Sequence, residues 1–252
     1  FTLNGFPYGK FQGESVKEAV YAPDWRSPER EHYTMRLAAL LAELLPEHVT
    51  YGSISTLPGS YRSWIRAGTD YSSVLWRLGR VAWRLDEIYR RTGKHIWLAL
   101  EPEPGCLWQT YEDIIQLFSD ELPNQGASLL SEEKNCSRAR AQEVLNGYIG
   151  VCLDTCHQAV MGEDPAEVLE AFQRKGIFVP KVQLSAALEG GADETSMRQL
   201  EHMKNDRFMQ QTGVLDVRDG SADLYEDLSE ALSEVETLSE REALQKRIVP
   251  HI

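Results

Sequence analysis

Short apolar runs alternate along the chain with stretches in which apolar residues recur every three or four positions. The runs at 1–5, 48–55, 95–100, 148–154 and 177–184 predict strands, and 247–250 predicts the start of a last one. The recurring stretches predict helices over 28–45, 74–89, 111–122, 165–175 and 221–232, most of them stopped by Pro or Gly. Strands separated by helices imply parallel strands joined by crossovers, and nearly continuous apolar runs imply a sheet covered on both faces. The expected fold is α/β, a (β/α)8 TIM barrel forming a single domain over 1–252. Such a barrel needs eight strands, and only six are evident. Thr2-Leu3-Asn4-Gly5 reads as the end of a strand, so an N-terminal part is expected to be missing ahead of Phe1. The polar stretch 123–137 predicts an insertion or loop, extending to about 147 with the helix that follows.

Charge narrows the partners. The formal net charge is −13, which opposes a phosphate backbone as ligand, because nucleic-acid binding needs clustered Lys and Arg. No apolar stretch is long enough to span a membrane. The four cysteines, Cys106, Cys136, Cys152 and Cys156, form no disulfide-framework pattern and read as reduced thiols in a cytoplasmic protein.

In a barrel of this kind the chemistry sits at the C-terminal strand ends. The run ending in "LALEPEPGC" delivers Glu101 and Glu103, and "GVCLDTCHQAV" delivers Asp154 with His157 three residues later. The run "KVQLSAAL" delivers Gln183 and Ser185, while Asn4, Tyr8 and Ser55 follow or end the earlier strands. Two carboxylates, an imidazole and an amide can surround one divalent ion, Mn, Mg or Zn. Alternation puts Glu101 on the face of Trp97 and Ala99, which favours it as the ligand over Glu103. Asn4, Tyr8, Ser55 and Ser185 are left as substrate-binding groups. Taken singly, a strand-end Glu is ordinarily solvated and a lone His ordinarily caps a helix; their joint appearance on successive strand ends points to a site. Trp25 and Trp64 follow strand ends and are candidates to line a pocket, and Cys152 and Cys156 read as packing.

The segment "VCLDTCHQAVMGED" resembles the strand-end motif of the endonuclease IV and xylose-isomerase-like superfamily. Together with "TLNGFPYGKFQGESVKEAVYAPDWRSPEREHYT", "GSISTLPGSYRSW", "LALEPEPGC" and "KVQLSAAL", it is similar to the EboE family of metabolite-traffic proteins, over residues 2 to about 190 and weakly through "DLYEDLSEAL". The resemblance implies a xylose-isomerase-like barrel, metal ligands at Glu101, Asp154, His157 and Gln183, and a role in processing or exporting a small metabolite beside other proteins of a transport system. The chain departs from that pattern at Gln12 and Gln210, where histidine is expected, and in a last strand without glutamate.

Three functions are weighed. A metal-dependent isomerase or epimerase would use Glu101 or Glu103 to move a proton between adjacent carbons, with Glu103 or His251 standing in for the second acid–base group. A non-catalytic barrel would bind and hand over a metabolite. An endonuclease IV-like phosphodiesterase is opposed by only six histidines and by the acidic charge.

Overall fold

The computed structural model describes residues 1–9, 17–66, 68–204 and 208–251. In chain order the elements are β1 (Thr2–Asn4), α1 (Pro28–Leu44), β2 (Tyr51–Thr56), α2 (Gly68–Thr92), β3 (His95–Leu100), α3 (Tyr111–Gln116), α4 (Ala127–Lys134), α5 (Arg138–Tyr148), β4 (Ile149–Asp154), α6 (Thr155–Met161), α7 (Pro165–Arg174), β5 (Lys181–Gln183), β6 (Gly190–Gly191), α8 (Glu194–Glu201), β7 (Thr212–Asp216), β8 (Ala222–Tyr225), α9 (Leu228–Glu236), α10 (Glu240–Ala243) and β9 (Lys246–Pro250). They fall into two compact units: Phe1–Gly9 with Tyr21–Leu153 and Leu169–Gln183, and Lys10–Val20 with Asp154–Val168 and Leu184–Ile252.

The first unit is a curled five-stranded sheet in the order β1-β2-β3-β4-β5, flanked by helices. Its pairings are parallel, with Asn4 beside Ser55, Ser55 beside Ala99 and Leu100 beside Val151. Along β3, Ile96, Leu98 and Leu100 are fully buried, whereas His95 and Trp97 on the other face are partly exposed. The helix α2 buries Val74, Leu75, Leu78, Val81, Leu85 and Ile88, spaced for one helical stripe. Each such side chain contributes roughly 1.5–3 kcal/mol. Two ionic ties hold the helices. Glu31 of α1 takes Arg77 and Arg80 of α2, both at 2.7 Å. Asp86 of α2 takes Arg140 and accepts from Tyr148 at 3.3 Å, both on α5. Gly150 lets the chain entering β5 lie close, since a Cβ there would stand 2.7 Å from Pro180 Cδ and 2.8 Å from the Phe178 carbonyl.

The stretch expected as an insertion or loop is helical. The helix begun by α3 widens into π-helical turns over Leu117–Gly126 and continues through α4 to a left-handed Asn135, after which α5 starts anew from the Ser137 cap. Leu117, Leu122 and Ala127 are buried five residues apart, a spacing that fits wide turns and not the 3.6-residue template.

The second unit does not extend the parallel series. Its four strands run in the order β6-β9-β7-β8 with antiparallel pairing throughout. Leu200, Val214, Leu228, Ala231, Leu232, Val235 and Ile248 form its core. The helix expected over 221–232 is corrected: β8 occupies its first half, and α9 begins only after the Asp227 cap. The Asp219-Gly220 pair turns β7 into β8, with Gly220 at φ +73°. Gly213 on β7 lies under α6, because a Cβ there would come within 1.9 Å of the Val160 carbonyl oxygen.

All four cysteines are free, with Cys106, Cys152 and Cys156 buried. Among the described residues no helix is long and apolar enough to cross a membrane.

Candidate functional site

In the first unit the strand ends gather acceptors and donors in two sets. The backbone N–H of Glu101, just past β3, donates to the Thr56 carbonyl at 3.0 Å, so Glu101 keeps the register of the sheet. Its carboxylate is buried and its Oε1 accepts from Gln183 Nε2 at 2.8 Å. Two of the four residues expected as metal ligands are therefore in direct contact. Glu103, also buried, accepts at Oε1 from the Tyr21 hydroxyl at 3.0 Å. Tyr21 is fully buried and stacks on Tyr61 with ring centroids 5.1 Å apart. Burial, and then the Glu103 charge, holds its phenol well above the ordinary range, so Tyr21 is a donor at any working pH. The Cys106 thiol is pushed up in the same way by burial and by Glu103, which keeps it protonated. The second set is Lys181 Nζ donating to Ser55 Oγ at 2.8 Å and Ser55 Oγ donating to Asn4 Oδ1 at 3.2 Å. Asn4 Oδ1 also accepts the Phe6 N–H at 3.1 Å and so holds the turn out of β1.

Tyr8 is not part of either set. It is 39% exposed and packs edge-on against Tyr33 at 4.9 Å. Trp25 is corrected from a pocket-lining position to the core. It is fully buried, and its indole N–H donates to Thr56 Oγ1 and the Leu57 carbonyl, as a buried Trp requires. Trp64 packs edge-on against Tyr61 at 5.7 Å, beneath the Arg26 guanidinium.

In the second unit Asp154 is the N-cap of α6: Oδ1 accepts the Cys156 N–H at 2.9 Å and the Ser185 hydroxyl. Ser185 is fixed in turn by Thr155, whose hydroxyl donates to its carbonyl at 2.6 Å and accepts its N–H at 3.0 Å. His157 is buried one turn into α6, and its ring meets that of His251 edge to face, centroids 4.8 Å apart. His251 follows β9 and donates its N–H to the Gln211 carbonyl at 2.8 Å. Burial first, and then His157, holds the His251 imidazole down to about 4, so it is neutral near pH 7. Gln210 is buried and donates to the Met203 carbonyl at 3.0 Å, a structural bond, while Gln12 lies outside the described residues.

Acidic and histidine groups among the described residues stand close enough together to bind a metal ion. No protein-family model matches the chain, and a search of curated proteins finds no match either. The chemistry of the site therefore rests on its own geometry.

Sequence reasoning missed Tyr21 and Lys181 and gave His251 only a stand-in role. His251 carried a usable signal, a lone imidazole at the end of the apolar run "RIVPHI". Tyr21 carried none, because it reaches Glu103 from a segment that pairs with no strand.

Proposed function

We propose that this chain is a divalent-metal-dependent protein of the isomerase or epimerase class, its curled parallel sheet the xylose-isomerase-like part of a partial TIM-like fold, acting on a small polyhydroxylated or carbonyl metabolite. The observation that carries the reading is the presence of acidic and histidine groups within metal-binding reach. The ligand set to test is Glu101, Asp154, His157 and Gln183. When bound, the ion would supply a Lewis acid for vicinal substrate oxygens. Glu101 and Glu103 are the groups for moving a proton between adjacent carbons. Tyr21 holds one oxygen of Glu103, and Gln183 holds one oxygen of Glu101, which fixes both carboxylates in orientation. Asn4, Ser55 and Ser185 offer hydroxyl and amide groups to substrate oxygens. Membership of the EboE family, and protein partners in a metabolite-transport system, follow from the motif resemblance alone.

The test is metal content by elemental mass spectrometry on wild type and Asp154→Asn. Asparagine caps a helix as well as aspartate, so the variant removes the charge and keeps the cap. About one divalent ion per chain, lost in the variant, supports a mononuclear site. A chain that takes no metal under any loading condition overturns the reading and leaves a metabolite-binding barrel. About three zinc ions per chain would instead restore the phosphodiesterase reading.

A further inference from the structure

The first unit holds a pocket of about 500 Å³ at the N-terminal ends of its strands. That size is in the range of small-molecule sites, roughly 300–1,000 Å³. It lies at the opposite end of β3 from Glu101: Trp97, which lines it, is four residues earlier, about 13 Å along an extended strand. The walls are aromatic. Trp97 and Phe178 meet at 4.5 Å between centroids, and His95 stacks beneath Trp97 at 4.9 Å and on Tyr148 at 4.7 Å. Phe178 is nevertheless 51% exposed and Tyr51 68%. Aromatic faces left open around a concavity mark a binding surface.

One charged side chain lines this pocket, and it is a cation, Lys181. Its ammonium donates to Ser55 Oγ, and among the described residues no carboxylate pairs with it. Several cations of the same unit are met by acids, Arg26 by Asp24, Arg77 and Arg80 by Glu31, Arg140 by Asp86, while Lys94 and Arg30 bond to backbone carbonyls away from this pocket. In a chain of net charge −13 an ammonium without a carboxylate partner beside flat apolar walls selects for a particular occupant. We propose that this pocket binds a planar aromatic molecule bearing a single anionic group, its ring against Trp97 and Phe178 and its charge on Lys181. None of the proposed metal ligands lines the pocket, and its one link to the proposed substrate groups is the Lys181–Ser55 hydrogen bond.

The test uses 1-anilinonaphthalene-8-sulfonate and its uncharged counterpart N-phenyl-1-naphthylamine as probes on the full chain. The expected result is saturable binding of one sulfonate probe per chain, with the neutral probe weaker by about tenfold, the worth of one hydrogen-bonded charge. Lys181→Met should erase that preference while leaving the neutral probe unaffected. Phe178→Ser, a change at an exposed position, should weaken both probes, and circular dichroism confirms that each variant is folded. Equal affinity for the two probes, or a sulfonate signal untouched by Lys181→Met, overturns the proposal. So does binding that vanishes on dilution together with a dimer in sedimentation, which would make a second copy the occupant.

Discussion

Asp154 serves the backbone and the candidate chemistry with one side chain. Its Oδ1 caps α6 and takes the Ser185 hydroxyl. Asp154→Ala therefore loses the cap and should lower stability by about 1 kcal/mol, whereas Asp154→Asn should stay within a few tenths of wild type. Chemical denaturation of the two variants separates the structural role from the ligand role. Gly213 is the other residue at which the fold leaves no choice. A Cβ 1.9 Å from the Val160 carbonyl forces α6 off β7, so Gly213→Ala should destabilise by roughly 3 kcal/mol or more, read as a fall in melting temperature. The positions of Asp154 and Glu101 at strand ends were legible because each closes an apolar run, a rule that needs no tertiary knowledge, whereas His157 lies within α6. That Gln183 donates to Glu101 was not legible, since the sequence offered each only as a separate strand-end group. The pairing of His157 with His251 was not legible either, because it depends on an antiparallel sheet that nothing in the alternating pattern announced.

Among the elements, the parallel strands and the helices α1, α2 and α7 follow the apolar periodicity closely. The region after α3 does not, for two physical reasons. Its apolar residues recur every five positions, and Pro123 sits where an ordinary helix would be broken. The hairpin of β7 and β8 was hidden behind an acidic, helix-like composition, although its Asp219-Gly220 turn was there to be read. That hairpin is tied by Asp216, whose carboxyl the Arg218 guanidinium holds well below the usual carboxylate range. A depressed pKa contributes stability above the unfolded value of about 4, which is lost as pH falls through the folded one. Asp216→Asn should accordingly melt earlier than wild type at neutral pH, and the gap should narrow as the pH is taken down toward about 3. The tie between α1 and α2 rests on buried charge. Glu31 is buried, and removing it leaves Arg77 and Arg80 facing each other, so Glu31→Ala should cost roughly 3 kcal/mol in urea unfolding.

At the scale of the whole molecule, charge and thiols govern behaviour. The sequence pI near 5.0 puts the solubility minimum there, and turbidity measured across pH should peak close to that value. The burial of three of the four thiols has a different consequence, one of timing. Alkylating reagents reach Cys106, Cys152 and Cys156 only when the surrounding structure opens, so the rate of their modification is a clock for opening. Cys106 and Cys152 sit in the parallel-sheet unit and Cys156 in the antiparallel one. A single mass-resolved labelling series thus times the breathing of each unit separately, with Cys136, only partly covered, marking the fast limit of the same experiment.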